Sequence, residues 1–160
     1  KNPAACQHLS RQFFLHSTKR RYIALVWGNF EEDEGTITGH IGRNPKNRHQ
    51  MYVFADGSEG KHAVTHYKVL RRYGYVTLVE CRLETGRTHQ IRVHMAHIGH
   101  PILGDTVYGH KKAELGQDSQ CLHAGILCFR HPRDGRPVIV HAPLPEYFQQ
   151  VLEKLEKLGV

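Results

Sequence analysis

The chain has 160 residues, of which 39% are hydrophobic and 23% charged, a composition typical of a single globular domain (1–160) with its own core. Lys and Arg outnumber Asp and Glu by 22 to 15, and the formal net charge of +7 favours a polyanionic partner without establishing one. This composition excludes a disordered tail, and no apolar run approaches the roughly 20 residues that a transmembrane helix needs.

Hydrophobic spacing in the first half of the chain predicts one helix followed by strands. Ala5, Leu9 and Phe13 recur at helical spacing, and Phe14 lies beside them. The dense apolar run that ends before Gly28 is typical of a buried strand. The predicted elements are a helix at about 3–16, a buried strand at 22–27, and shorter strands at 35–41 and 51–54.

The second half predicts further strands with two helices among them. Gly74 supplies a turn between two alternating stretches, which we expect to form an antiparallel pair. Thr88 is predicted to cap a helix that Gly99 stops. The predicted elements are strands at 63–70, 75–83, 122–129 and 137–141, a helix at about 88–98, and a helix at 145–158 that places Phe148, Leu152, Leu155 and Val151 on one face.

Strands outnumber helices and follow one another in hairpin order, so the predicted class is α+β with a mostly antiparallel sheet and flanking helices. The four cysteines form no CxxC pair. They are typical of reduced thiols in a cytoplasmic protein.

The segment from Gly86 to Met95 carries the most chemistry. Five of its side chains are basic or carry an amide and so offer hydrogen-bond donors, and apolar residues that can pack lie among them. A strand that ends here and opens into a helix would direct backbone N–H groups and Arg87 at an anion. The donors are Arg87, His89, Gln90, Arg92 and His94, and the apolar residues are Ile91, Val93 and Met95.

Each basic feature also has a structural explanation. Arg92 lies near apolar neighbours, and it could pair with a core carboxylate for architecture alone. Lys19, Arg20 and Arg21 precede Tyr22 as in single-strand RNA sites, but on composition alone a solvated flank of a strand is favoured. The loop cations Arg43, Lys46 and Arg48 could extend a basic surface or belong to a soluble hairpin.

Fourteen histidines raise the hypothesis of a zinc-dependent hydrolase. His94, His97 and His100 are spaced by three, but no HExxH occurs, and Gly99 would end the helix before His100. We therefore expect no metal site.

The segment 83–109, with Gly86-Arg87-Thr88-His89-Gln90-Ile91-Arg92-Val93-His94 at its centre, closely resembles the RluA-type family of RNA pseudouridine synthases. The resemblance continues through 99–105, 107–109, 19–28, 61–70, 122–124 and 131–132, so that essentially the whole chain fits. It implies a mixed, largely antiparallel α+β fold with an active-site cleft, and the isomerisation of uridine to pseudouridine in ribosomal or transfer RNA. It implies neither a metal nor an organic cofactor.

The resemblance also implies roles for individual residues. Tyr22 matches the tyrosine that stacks on the target base and helps to remove the C5 proton, and Arg92 matches the arginine that pairs with the catalytic aspartate. Ile91 and Leu122 are expected along the pocket wall. The expected RNA-binding residues are Lys19, Arg20, Arg21, Arg43, Arg48, Arg87, His89, Gln90 and His94.

One departure from the family pattern concerns the catalytic aspartate. It belongs to an Arg-Leu-Asp segment that does not occur in the 160 residues. The chain therefore resembles an N-terminally truncated catalytic domain, which we expect to be inactive alone. We expect Arg92 to lack its carboxylate and to attract water or an anion, and an exposed sheet edge to promote self-association, whereas the full-length protein is expected to be a monomer. A non-catalytic RNA-binding module is the alternative.

Overall fold

The computed structural model describes residues 2–110, 115 and 119–158. Within these ranges the chain forms seven strands and three helices in the order that the alternating and helical patterns predict. The elements are α1 Pro3–Phe14, β1 Lys19–Trp27, β2 Glu34–Arg43, β3 Met51–Phe54, β4 Lys61–Arg72, β5 Val76–Leu83, α2 Gln90–His97, β6 Leu122–Arg130, β7 Pro137–His141 and α3 Glu146–Lys157.

The described strands form one sheet in the order β3-β2-β4-β5-β1-β6-β7. Each neighbouring pair in this sheet is antiparallel, and the predicted pairing of β4 with β5 is confirmed, with Thr65 opposite Leu83. Gly74 has a φ of 77°, which is the backbone conformation that lets glycine turn β4 into β5. The predicted α+β class is therefore confirmed.

The centre of the sheet is buried on both faces. Ala24 and Val26 of β1 face Ile91 and Met95 of α2, while Leu25 between them faces the opposite cluster. Successive strand residues point to opposite faces, so a continuous apolar run fills two cores at once. The predicted inner face of α3 is confirmed, with Phe148, Val151 and Leu155 fully buried and Leu152 packed beside them.

Helix α1 forms as predicted, but its apolar residues do not make the expected buried face. Phe14 is 80% exposed. The helix docks instead through Gln12, whose amide accepts from the Arg130 backbone N–H and donates to the Arg130 carbonyl, both at 2.7 Å. A side-chain amide thus continues the hydrogen-bonding pattern at the end of β6, a contact that hydrophobic spacing does not reveal.

Helix α2 begins two residues later than predicted, and Thr88 is not its cap. His89 occupies the cap position in a left-handed conformation with a φ of 55° and makes no side-chain capping bond. Gly99 follows the helix with a φ of 85°, consistent with the predicted stop. No helix in the described ranges is long and apolar enough to cross a membrane.

Candidate functional site

A cavity of about 370 Å³ opens where β1, the end of β5 and the start of α2 meet. It brings together Tyr22 and Arg92, which were predicted to be catalytic, with Ile91 and Leu122, which were predicted for the pocket wall. We call this space the Tyr22 cavity. Its lining residues are Arg20, Tyr22, Leu83, Gly86, Arg87, His89, Gln90, Ile91, Arg92, Gln120 and Leu122.

Strand and helix geometry explain why the two central side chains meet. Tyr22 packs with Ala24 on the α2 side of the sheet, as two positions of one strand must. Arg92 lies in the first turn of α2, directly after the loop that leaves β5. The pairing of β1 with β6 changes register between Arg21 and Tyr22, so a bulge occurs beside the tyrosine.

The expectation that Arg92 lacks a carboxylate partner is wrong. Arg92 donates from Nε to Asp105 Oδ2 at 2.7 Å and from Nη2 to Asp105 Oδ1 at 2.9 Å. The Arg92 side chain is 13% exposed and that of Asp105 is 0% exposed, so the architectural pairing considered from sequence occurs here. The parallel bonds fix the guanidinium plane and leave Nη1 without a partner among the described residues.

Asp105 is a structural anion and not a free acid. Besides Arg92, its Oδ1 accepts the backbone N–H groups of Val107 and Tyr108 at 3.0 and 3.1 Å. Burial acts to raise the pKa of Asp105, but the hydrogen bonds from Arg92, Tyr108 and Val107 outweigh it and hold the pKa below its usual value. The carboxylate therefore stays ionised and engaged.

Tyr108 joins this pair to the rim of the cavity, and sequence reasoning gave it no role. The Arg92 guanidinium carbon lies 5.0 Å from the centre of the Tyr108 ring, and the Tyr108 hydroxyl is 2.9 Å from His89 Nδ1. Burial and the charge of Arg92 lower the pKa of His89. His89 is thus a neutral hydrogen-bonding group at neutral pH. Both Asp105 and Tyr108 lie within the segment 83–109 that carries the family resemblance, which was the available signal.

Gln90, which was predicted to bind RNA, is held inside the protein in this structure. Gln90 is 3% exposed, and each capacity of its amide is used within the protein. Its Oε1 accepts from Thr85 Oγ1 at 2.8 Å and from the Arg87 backbone N–H at 2.9 Å. Its Nε2 donates to the Val64 carbonyl at 2.9 Å and to Thr65 Oγ1 at 3.0 Å. Gln90 therefore ties the loop before α2 to strand β4.

His94 was also predicted to bind RNA, and it is fully buried. Its Nδ1 lies 2.9 Å from Thr65 Oγ1, so it extends the same hydrogen-bonded group. Burial, with a smaller contribution from His97, lowers the pKa of His94 to about 4. One turn of helix separates it from Gln90, and both face β4 instead of solvent because that face of α2 packs on the sheet.

The remaining predicted RNA-binding residues fall into three groups. Arg87 lines the Tyr22 cavity, and its Nε donates to the His62 carbonyl at 2.9 Å. Lys19, Arg20 and Arg21 line a second cavity at the adjoining end of the sheet. Arg43 and Arg48 flank the loop between β2 and β3 outside both cavities, where Arg43 Nη1 donates to the Arg48 carbonyl.

The histidines proposed for a metal are dispersed. His100 stacks on Phe30 at 4.1 Å between ring centres, whereas His94 bonds Thr65. Over the part of the chain that the structure describes, no three His, Cys, Asp or Glu side chains cluster in a way that could hold a metal ion. The cysteines carry free thiols, and burial raises the pKa of Cys81 and Cys121 to about 12.

Known proteins share both the sequence and the fold. A family model described as RNA pseudouridylate synthase matches residues 1–97. An uncharacterized RNA pseudouridine synthase of Bacillus subtilis (strain 168), YlyB, is 49% identical over 99% of this chain and 51% of that protein. The ribosomal large subunit pseudouridine synthase D of Zymomonas mobilis is 43% identical over 92% of this chain and 48% of that protein.

Among solved structures, human RNA pseudouridylate synthase domain containing 1 superposes with a TM-score of 0.72. It is 31% identical, and the match covers 97% of this chain and 72% of the human one. The chain spans about half the length of the curated relatives it matches.

Proposed function

The chain belongs to the RNA pseudouridylate synthase family, and from that premise we propose that the complete protein isomerises uridine to pseudouridine in RNA. The observation that carries the proposal is the sharing of one cavity by Tyr22 and Arg92, with Ile91 and Leu122 beside them. An aromatic face, apolar walls and a fixed guanidinium suit a flat base attached to an anionic backbone.

The proposed reaction moves one glycosidic bond. The N1–C1′ bond of uridine breaks, the base turns, and a C5–C1′ bond forms. The proton on C5 leaves and N1 gains one, so atoms balance without an oxidant or a reductant. Tyr22 supplies the stacking surface and assists removal of the C5 proton, while Arg92 supplies positive charge at the cavity.

Asp105 does not supply the free carboxylate that starts this reaction. Its oxygens are held by Arg92 and two backbone N–H groups. No Arg-Leu-Asp segment occurs in the 160 residues, so we assign turnover to the complete protein and expect none from this chain alone. The Nη1 of Arg92 is the group that a further carboxylate would engage.

Ribosomal RNA is the proposed substrate class. The relatives of Zymomonas mobilis and Nitrosomonas europaea are named ribosomal large subunit pseudouridine synthase D, and the net charge of +7 suits a structured polyanion. We further propose that the complete protein is cytoplasmic and monomeric.

The test is tritium release from ribosomal RNA labelled at C5 of uridine, with the complete gene product as enzyme. Forming the C5–C1′ bond expels the label, so release above background together with pseudouridine in the digested RNA is expected. RNA binding without release would overturn the isomerase and leave a binding module. Measurement with the 160-residue chain should give background only.

A further inference from the structure

A second cavity, of about 660 Å³, lies at the end of the sheet where β1 begins and β5 ends. We call it the sheet-end cavity. It adjoins the Tyr22 cavity, because Arg20 and Leu83 line both. Its other lining residues are His16, Thr18, Lys19, Arg21, His66, Arg82 and Glu84.

Positive charge dominates the sheet-end cavity. Four cations line it, against the single carboxylate of Glu84. Glu84 is engaged by His66, whose Nε2 lies 3.2 Å from its Oε1. Arg21 lies 3.6 Å from the Glu80 carboxylate, which leaves Lys19, Arg20 and Arg82 without a carboxylate partner among the described residues. Such a surface attracts an anion.

Arg20 is the side chain at the junction of the two cavities. Its Nε is buried and has no hydrogen-bond partner among the described residues. Its guanidinium carbon lies 5.9 Å from the centre of the Phe13 ring. On the other side, a Cβ at Gly86 would lie 2.6 Å from Arg20 Nη1. Packing thus sets the position of this guanidinium, and no carboxylate of the described residues pairs with it.

We propose that the sheet-end cavity is a nucleotide subsite that receives the neighbour of the uridine held in the Tyr22 cavity, with the linking phosphate on Arg20. The inference rests on the proposed function and deepens it. Two consecutive nucleotides are joined by one phosphate, and Arg20 is the cation that both cavities share. The volume is within the range of small-ligand sites, and Phe13 offers a partly exposed ring beside it.

The subsite is tested by titrating the complete protein with uridine monophosphate and with the dinucleotide UpU, followed by NMR chemical shifts at fixed salt. The dinucleotide is expected to bind at least ~10-fold more tightly, because it fills both cavities. Arg20→Ala and Arg82→Ala should each remove most of the difference in affinity between UpU and uridine monophosphate. Arg20→Lys should retain part of this difference. Arg82→Ala should leave the affinity for uridine monophosphate unchanged.

Arg133→Ala is the matched control, since Arg133 lies in the turn between β6 and β7 and lines neither cavity. It should change neither affinity. The subsite proposal would be overturned if the two ligands bound with equal affinity. It would also be overturned if UpU still bound more tightly in both the Arg20→Ala and the Arg82→Ala variants. Tighter binding of the dinucleotide without tritium release would overturn the isomerase alone. Failure of UpU to bind more tightly than uridine monophosphate, together with tritium release, would overturn the subsite alone.

Discussion

The orientation of Arg92 is set by two neighbours of different chemistry. Asp105 fixes one edge of the guanidinium through two hydrogen bonds, and the ring of Tyr108 lies against its face. Removing one partner of a largely buried pair leaves a charge without compensation, which costs far more than removing an exposed pair. Arg92 is therefore held in place by contacts within the protein.

Asp105→Ala is expected to lower the free energy of unfolding by about 3–5 kcal/mol, measured by urea denaturation. The matched control is Asp33→Ala, which removes another Arg–Asp pair at 2.7 Å whose acid is 82% exposed. That change should cost no more than about 1 kcal/mol. Similar losses in both variants would mean that Asp105 does not secure Arg92.

Tyr22→Phe in the complete protein separates stacking from proton removal. The ring remains, so RNA affinity should be preserved, but turnover should fall by about 10²–10⁴-fold if the hydroxyl assists removal of the C5 proton. Tyr22→Ala should abolish turnover and leave most of the affinity, because phosphate contacts dominate binding. Tritium release and filter binding measure the two quantities.

Arg43→Ala serves as the control for Tyr22→Phe. It should leave turnover at saturating RNA unchanged, and it should make RNA binding depend less steeply on salt concentration. Full activity of Tyr22→Ala would remove Tyr22 from the mechanism.

At the scale of elements, Gln90 connects the loop before α2 to β4 through four hydrogen bonds. Gln90→Glu has nearly the same shape, but it replaces two donors by an acceptor that faces the Val64 carbonyl. We expect a loss of at least about 2 kcal/mol in the free energy of unfolding, because buried polar groups lose their partners. Gln7→Glu, on the exposed surface of α1, should change it by less than about 0.5 kcal/mol. Equal stability of the two variants would contradict the connecting role.

The same hydrogen-bonded group predicts a pH dependence through His94. Its folded-state pKa is about 4, whereas a free imidazole has a pKa of about 6.5, so the unfolded chain binds the proton more tightly. Stability is therefore complete above pH 6.5 and falls by about 3 kcal/mol as the pH decreases towards 4. His94→Asn keeps a polar atom near Thr65 without this titration. The free energy of unfolding is measured against pH for the unmodified chain and for His94→Asn, and the difference between the two should grow as the pH falls from 6.5. A constant difference would contradict the role given to His94.

Alternation and turn glycines were enough to predict the strands, because the central strands β1, β2, β4 and β5 bury residues in the core and the turn at Gly74 requires a left-handed backbone. The start of α2 was missed because His89 adopts a left-handed backbone, which keeps Thr88 and His89 outside the helix. The partner of Arg92 was missed because Asp105 is 13 residues away and reaches it only through the fold. Tyr22, Arg92, Ile91 and Leu122 were correctly expected near one another, since they came from a single family pattern.

At the scale of the whole molecule, the sheet places both cavities at the strand ends near Arg20 and leaves β3 and β7 as its edges. The two edges differ in length, since β3 has four residues and β7 has five. β7 also presents Ile139, which is 60% exposed, next to the exposed Val140. An apolar edge with unpaired backbone groups is a template for pairing with another chain.

We expect the 160-residue chain to self-associate through β7 at high concentration. Sedimentation equilibrium should give an apparent mass that rises with concentration. Ile139→Lys should lower the association constant by at least ~10-fold, because two copies would bring like charges together across the paired edges. Gln150→Lys adds the same charge on the exposed surface of α3 and should leave the association unchanged. A mass independent of concentration, or equal effects of both lysines, would show that β7 does not pair with a second copy.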